Sequence, residues 1–378
     1  MSTFFDRLAQ RLGDGTAPAT PSPGQRPDRC RCGQPVFFGN SQCLACQAPL
    51  GFEPLSGHVV SLSPAGDGLW TADGGDASRR YRRCANLVEA PACSWLVEAD
   101  DPHALCRSCR LNRTIPDLGV AGNDQRWARF ETAKQRLVAQ LLALGLPVNP
   151  LGEDPAGGLA FDFLGPDLNG QQPVTGHAEG LITLNIEEAD DARREQLRTE
   201  LHEPYRTLLG HFRHESGHYY WDRLVARGPW LGPFRRLFGD EREDYAAALQ
   251  RHYEQGPPAD WNGRFISAYA SMHPWEDWAE TWAHYLHLLD TLDTALGFGL
   301  RVGGGVLAFT PFTHDSLSAP DDHQADDFLA LINAWIELAA MLNELARSMG
   351  QPDTYPFVLS AEVVAKLQLV HRIVRSPA

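Results

Sequence analysis

The chain has 378 residues, of which 43% are hydrophobic and 21% charged, and its formal net charge is −15. This composition is typical of a globular protein of two or three domains and excludes an intrinsically disordered chain. No window approaches twenty uninterrupted apolar residues, and charges interrupt the N-terminal stretch where a signal peptide needs its apolar core. We therefore expect a cytoplasmic protein that does not contact a membrane.

The negative charge is concentrated in the C-terminal two-thirds of the chain. Residues 28–115 contain nine Arg and nine Asp or Glu, whereas residues 116–378 contain 21 Lys or Arg and 37 Asp or Glu. An acidic surface repels phosphate backbones, so we do not expect residues 116–378 to bind nucleic acid.

The first 27 residues form an N-terminal segment of their own. Residues 1–12 can form a short amphipathic helix, and the Pro-, Gly-, Ala- and Thr-rich stretch that follows is typical of a flexible linker. The helix could dock onto a partner or onto its own protein, or it could be a frayed terminus.

All eight cysteines lie between Cys30 and Cys109, which predicts a zinc-binding domain over residues 28–118. A Cys-x-Cys pair and a Cys-x-x-Cys pair joined by a hairpin-length segment indicate a zinc ribbon, whose four thiolates close a tetrahedral structural site. The second quartet has looser spacing, and His103 is a possible substitute ligand. The alternatives are a redox pair, iron or buried thiols. The predicted ligands are Cys30, Cys32, Cys43 and Cys46 in the first site, and Cys84, Cys93, Cys106 and Cys109 in the second.

Residues 79–83, Arg-Arg-Tyr-Arg-Arg, form a concentrated basic patch directly before Cys84. Such a patch could contact nucleic acid. The interpretation that we favour is that these arginines balance the charge of a zinc–thiolate centre and donate hydrogen bonds to its sulfurs.

From about residue 119 the pattern predicts a second, mainly helical domain that extends to residue 378. Residues 125–144 have helical periodicity, and residues 159–164 and 180–186 have the composition of strands. The second strand could be a sheet edge that pairs with an extended peptide, or a plain structural strand. We expect this sheet and an active-site helix up to about residue 226, with helices thereafter.

The run from His211 to Trp221 contains the pentapeptide His214-Glu215-Ser216-Gly217-His218. On a helix, two histidines four residues apart lie on one face and can bind one metal ion. This is the HExxH arrangement of zinc hydrolases, in which the glutamate is the general base for zinc-activated water. The alternative is an amphipathic helix with two ordinary histidines. His211, three residues earlier, could contact substrate or be a structural histidine.

A catalytic zinc needs a third protein ligand. Glu276 and Glu280 lie one helical turn apart in an aromatic-rich segment, so one carboxylate can bind zinc while the other accepts a hydrogen bond from a ligating histidine. Surface acids near the start of a helix are the alternative explanation.

The HExxH motif followed by a helical Glu-x-x-Ala-Glu resembles the gluzincin class of metallopeptidases. The segments 210–221, 238–242 and 273–280, with the cysteine-rich segments, resemble a bacterial family that is classed, largely on its motifs, as zinc-dependent peptidases with an N-terminal zinc ribbon. The resemblance extends from about residue 29 to the end. It implies that His214, His218 and Glu276 bind zinc and that Glu280 lies behind them. The reverse order of the two acids remains the main alternative.

These observations predict an α+β protein: a small zinc-ribbon β domain followed by a mainly helical, gluzincin-like metallopeptidase domain with a small mixed sheet. We expect one catalytic and two structural Zn²⁺ ions and hydrolysis of a peptide or protein substrate with Glu215 as general base. Tyr269, His273, Tyr253 and Arg264 are the candidate oxyanion donors. The alternative is a protein-interaction module that uses the ribbon or the N-terminal helix, with a peptidase-like binding scaffold.

Overall fold

A computed structural model describes residues 3–13, 28–88, 93–166, 169–200, 207–300 and 307–376. The chain divides into two compact units, residues 19–193 and residues 1–18 with 194–378. The boundary lies within helix α3 (Asp191–Glu200). The linker predicted after the N-terminal helix lies outside the described residues, and the predicted domain limits at 27 and 118 stay predictions.

The first half of unit 19–193 is built from short antiparallel strands. A two-stranded hairpin carries the first cysteine pair, and a five-stranded sheet follows in simple chain order. Leu62, Tyr81 and Leu96 form the small apolar cluster of this sheet. The strands are β1 (Asp28–Arg29) and β2 (Pro35–Val36) in the hairpin, then β3 (Leu50–Glu53), β4 (His58–Pro64), β5 (Trp70–Ala72), β6 (Tyr81–Arg83) and β7 (Leu96–Glu98).

The second half of this unit is a four-stranded mixed sheet with one long helix, α2 (Asn123–Ala143). The strands β8 (Asn112–Thr114), β9 (Ala160–Leu164), β10 (Gly176–Ala178) and β11 (Leu181–Asn185) are ordered β10-β11-β9-β8. β11 pairs with β10 on one side and with β9 on the other. The interpretation of this strand as a free sheet edge is therefore wrong, because β10 folds back antiparallel and occupies that edge.

The second unit is helical in its described residues. Its core is rich in large aromatic side chains, with Trp278, Trp282 and Trp335 fully buried. The helices other than α3 are α1 (Phe4–Gly13), α4 (Leu208–Leu224), α5 (Leu231–Phe238), α6 (Tyr245–Gln255), α7 (Trp261–Arg264), α8 (Pro274–Gly297), α9 (Ala325–Ser348) and α10 (Ala361–Arg375).

The N-terminal helix α1 docks onto its own protein. Phe5 and Leu8 are buried, and Arg11 forms a 2.7 Å ion pair with Asp293 of α8. The ring of Phe5 also packs edge-on against His371 of α10. Of the three possibilities that the sequence left open, the structure thus shows intramolecular docking.

Helix α9 is long and apolar enough to cross a membrane by length and composition alone. One of its faces, which includes Phe328, Ile332 and Trp335, is buried inside the helical unit. The core helix of a globular domain meets the same criteria, so α9 alone is weak evidence for a membrane span.

The predicted fold class is confirmed: a β zinc-ribbon region precedes a mainly helical C-terminal part with a small mixed sheet. The predicted helices and strands are present, with ends that shift by a few residues. Helix α4 begins at Leu208, where the side chain of Thr207 caps it by accepting a hydrogen bond from the Gly210 N–H.

Candidate metal centres

The first cysteine cluster brings together Cys30, Cys32, Cys43 and Cys46, as predicted. The Cys30 and Cys46 sulfurs lie 3.5 Å apart, and those of Cys32 and Cys43 lie 3.8 Å apart. A tetrahedral zinc with Zn–S bonds of about 2.3 Å places its sulfurs roughly 3.8 Å from one another, so these residues fit the ion.

The second cluster gathers Cys84, Cys93, Cys106 and Cys109, and all four are buried. The Cys93 and Cys106 sulfurs are 3.6 Å apart, and the backbone N–H of Cys106 donates to the Cys84 sulfur. His103 is not needed as a substitute, because its Nδ1 pairs with Asp101 at 2.8 Å.

The arginines of the basic patch do not donate to the cysteine sulfurs in the contacts that the structure describes. Arg83 donates to the carbonyls of Ser41 and Leu50, Arg82 donates to that of Asp101, and Arg79 pairs with Glu98. The predicted hydrogen bonds to the sulfurs are therefore not among the described contacts, and the role in balancing thiolate charge stays a prediction. These side chains instead tie β6 to its neighbours.

The third cluster consists of His214, His218 and Glu276 and depends on a close crossing of helices α4 and α8. A Cβ added at Gly217 would lie 2.9 Å from Cα of Ala279, so the two backbones meet where one residue is glycine and the other alanine. Two tryptophan N–H groups of α8 also bond to α4: Trp278 to the Gly217 carbonyl and Trp282 to the Ser216 hydroxyl. The two middle residues of the motif are thus packing residues.

This crossing places Glu276 against both histidines of the motif. Its carboxylate oxygens lie 3.0 Å from Nε2 of His214 and 3.5 Å from Nε2 of His218. A tetrahedral site with bonds of about 2.0–2.2 Å needs ligand atoms about 3.4 Å apart. The donor set and its spacing therefore fit zinc. Oε2 of Glu276, the oxygen nearest to His214, is buried, and among the described residues no group donates a hydrogen bond to it.

Glu280 lies on the other side of His214, where it accepts a 2.7 Å hydrogen bond from Nδ1. Its second oxygen accepts from the hydroxyl of Ser267 at 2.6 Å. These contacts fix the His214 ring and leave Nε2 facing Glu276. Metal-binding histidines are commonly oriented in this way, with the other ring nitrogen donating to a carboxylate. The geometry thus places Glu276, not Glu280, among the three converging donors.

The acids of the cluster are ionised although they are buried. Burial raises the pKa of Glu276, but the two histidines outweigh it and hold the pKa well below its usual range. Burial likewise raises the pKa of Glu280, but the hydrogen bond from His214 and other contacts lower it to about 2. Ionised oxygens are what a divalent cation requires.

Glu215 follows His214 directly and is also buried. Its Oε1 lies 3.3 Å from Nε2 of His211, and its Oε2 has no hydrogen-bond partner among the residues that the structure describes. Burial raises the pKa of Glu215, but the bond from His211 and the nearby histidines outweigh it and lower the pKa. His211 therefore contacts the proposed base.

Tyr245, at the first turn of α6, was missed by the sequence analysis. Its hydroxyl donates to Oε1 of Glu276 at 2.9 Å. Tyr269 was a candidate, and its ring lies 6.0 Å from that of His214. Trp275 packs against His218 with ring centroids 3.9 Å apart. The aromatic-rich composition of segments 245–253 and 269–282 was the available signal, but it did not single out Tyr245.

The other candidate oxyanion donors are engaged elsewhere. Nδ1 of His273 accepts from the Trp275 N–H as the N-cap of α8, and its Nε2 lies 3.1 Å from the Glu243 carbonyl. The donor role assigned to His273 is thus not supported, since both ring nitrogens bond to backbone. Arg264 packs on Phe265 and faces Glu362, while Tyr253 is 61% exposed.

Comparisons with known proteins agree with these clusters. The zinc-ribbon family matches residues 28–120, and a family described as "putative zinc-binding metallo-peptidase" matches residues 123–373. Uncharacterized proteins from two strains of Mycobacterium tuberculosis and from Mycobacterium bovis are 46% identical over 345 residues, which cover 91% of this chain and 93% of each relative.

No solved structure gives a significant match to the chain. The peptidase family spans the three converging donors of α4 and α8, and the ribbon family spans both cysteine clusters. The chain therefore belongs to this zinc-binding metallopeptidase family and carries an N-terminal zinc-ribbon domain.

Proposed function

We propose that this protein hydrolyses peptide bonds at the cluster of His214, His218 and Glu276, with Glu215 as the general base. The observation that carries the proposal is the convergence of the three donor atoms within 4.8 Å of one another, directly beside a buried carboxylate. The family match supports a zinc peptidase, and the geometry adds that the motif residues of two separate helices converge.

The three residues would hold a zinc ion, which supplies a Lewis acid that polarises a carbonyl and makes water more acidic. Glu280 keeps the His214 ring in the tautomer whose Nε2 faces Glu276. The packing of Gly217 against Ala279 keeps Glu276 at the distance that both histidines need.

Glu215 performs the proton transfers in this proposal. Its lowered pKa keeps it ionised, so it can accept a proton from the attacking water. The same carboxyl then gives that proton to the leaving amine. His211 holds one oxygen of Glu215 and leaves the other to face the reacting water.

The developing oxyanion needs a hydrogen-bond donor from the protein. Burial raises the pKa of both Tyr245 and Tyr269, so both phenols keep their protons. We assign this role to Tyr245 first, since its hydroxyl already lies 2.9 Å from a proposed metal-binding oxygen. Tyr269 is the second candidate.

The proposed metal content is three zinc ions per chain, two in the cysteine clusters and one in the third cluster. Metal analysis of the intact protein and of His218→Ala tests this count. We expect the variant to lose one ion and to keep the two that the cysteines bind.

The function itself is tested with Glu215→Gln. A peptide library made from a proteome digest is incubated with the zinc-loaded protein, and new termini are identified by mass spectrometry. We expect cleavage by the wild type, and none by Glu215→Gln, which should bind as much zinc as the wild type because Glu215 is not a ligand.

An active Glu215→Gln variant would contradict the mechanism. Absence of cleavage by the wild type, together with a bound macromolecule that is retained by Glu215→Gln but lost without the ribbon, would instead favour an interaction module with a peptidase-like scaffold.

A further inference from the structure

The two cysteine clusters differ in exposure. In the first cluster, Cys30 and Cys43 are buried whereas Cys32 and Cys46 are exposed. In the second cluster the four cysteines are between 1% and 3% exposed. A closed structural site does not need exposed ligands, so the first cluster offers an entry point for a reagent that the second does not.

All four sulfurs lie within 4.8 Å of one another, and each exposed cysteine lies close to a buried one. Each one has a buried cysteine of the other close pair as its neighbour, Cys46 beside Cys30 at 3.5 Å and Cys32 beside Cys43 at 3.8 Å. A disulfide needs sulfurs about 2.05 Å apart, so each pair must close by less than about 2 Å.

We propose that the first cluster is an oxidation site, at which hydrogen peroxide converts the four zinc-binding thiolates into two cross-pair disulfides, Cys30–Cys46 and Cys32–Cys43, with release of the metal. The inference does not depend on the peptidase activity. It concerns only residues of the zinc ribbon.

The chemistry balances for each pair. The exposed thiolate attacks one peroxide oxygen, the O–O bond breaks, and the products are a sulfenic acid and hydroxide. The buried thiolate then attacks the sulfenic sulfur, the S–O bond breaks, and a disulfide and a second hydroxide form. Two electrons from the sulfurs reduce one peroxide, and two protons from water or buffer convert the hydroxides to water. With its four ligands consumed, Zn²⁺ leaves.

The surroundings of the first cluster allow this closure without unfolding the adjacent sheet. Asp28 anchors the hairpin to β4, with its carboxylate 2.7 Å from both Nδ1 of His58 and the backbone nitrogen of Val59. The Ser61 hydroxyl also lies 2.8 Å from the Arg31 nitrogen. These contacts hold the hairpin to β4 by groups other than the metal, so reduction and zinc can restore the site.

The test treats the full-length, zinc-loaded protein with graded hydrogen peroxide. Released zinc is followed with a chromogenic chelator, and disulfides are mapped by mass spectrometry of non-reduced digests. We expect release of one zinc per chain, with the two cross-pair disulfides, at least about tenfold faster than any oxidation of the second cluster. A thiol reductant with added zinc should reverse it.

Two variants identify the source of the zinc. Cys32→His/Cys46→His keeps four zinc-binding side chains but removes the exposed thiols, so peroxide should no longer release zinc. His218→Ala, which removes a ligand of the third cluster, should release the same single equivalent as the wild type. The mapping of the wild-type protein decides the question even if the double variant fails to bind zinc.

Oxidation of both cysteine clusters at similar rates would overturn the proposal. So would disulfides within the close pairs, Cys30–Cys32 or Cys43–Cys46, or loss of the zinc bound by His218 before that of the ribbon.

Discussion

The cysteine clusters and the histidine–glutamate cluster gather metal-binding side chains in opposite ways. The first cysteine cluster takes its four ligands from 17 consecutive residues around one hairpin. The third cluster takes two ligands from α4 and one from α8, with Glu276 separated from His218 by 58 positions in the sequence. One site is local in the sequence, and the other exists only after two helices have packed.

This difference indicates where the stability of each site comes from. The hairpin β1–β2 has two residues in each strand, which is too little to hold four thiolates together without a metal. Helices α4 and α8 instead meet through Gly217, Ala279 and buried tryptophans, so we expect their ligands to stay in place when the metal is removed.

Removal of zinc is the most direct test of this contrast, and it has the largest expected effect. Structural zinc contributes about 10–16 kcal/mol to the folding of small zinc domains. After chelation under denaturant-free conditions, we expect hydrogen exchange to accelerate in peptides that cover the hairpin and its four cysteines, residues 28–46. Peptides that cover α4 and α8 should keep their protection. Equal loss of protection in both regions would show that the third cluster also depends on its metal for structure.

The sequence predicts the first cysteine cluster more fully than the histidine–glutamate cluster, because only the first is local in the sequence. Spacing alone identifies the ribbon ligands, because a hairpin of fixed length brings Cys30 and Cys46 together. The role of Glu276 required a resemblance, and Tyr245 was missed, because its contact with Glu276 depends on how α6 packs against α8. The exposure of Cys32 and Cys46 is likewise a tertiary property that the spacing does not contain.

The next test breaks the packing of α8 without touching a proposed ligand. Asp277 is fully buried and pairs with Lys366 of α10 at 2.7 Å. The Lys366 ammonium also donates to the Arg264 carbonyl and lies 4.4 Å from the centroid of the Phe265 ring. Asp277→Asn leaves this ammonium uncompensated, so the free energy of unfolding of the helical unit should fall by about 3–5 kcal/mol.

Urea unfolding followed by far-UV circular dichroism measures this loss. The double variant Asp277→Leu/Lys366→Met serves as the control, because it removes both charges and should recover most of the stability. If Asp277→Asn costs less than the double variant, the ion pair is not what fixes α8.

A smaller effect is expected from Gly217→Ala, which tests whether the helix crossing sets the metal geometry. The added methyl would lie 2.9 Å from Cα of Ala279, and such overpacking costs about 1–3 kcal/mol, partly offset by the higher helix propensity of alanine. The zinc affinity of the third cluster should fall, while the zinc content of the ribbon stays unchanged. Gly263→Ala is the matched control, because its added methyl meets no atom of the described part of the chain within 4 Å.

The smallest effect concerns pH, and it tests whether the helical unit is stabilised by packing alone. Burial lowers the pKa of His371 to about 3, and its Nδ1 bonds to the Tyr285 hydroxyl at 2.8 Å. In the unfolded chain the pKa is about 6.5, so below that pH the unfolded state binds a proton that the folded state does not. The free energy of unfolding should therefore fall by about 1 kcal/mol between pH 7.5 and pH 5.5.

In His371→Asn, which keeps a hydrogen-bond acceptor but does not titrate, this part of the pH dependence should disappear from urea unfolding curves. Its persistence would assign the acid sensitivity to other groups, first of all to His284 and His287 of α8, whose pKa values burial also lowers, to about 4 and about 3.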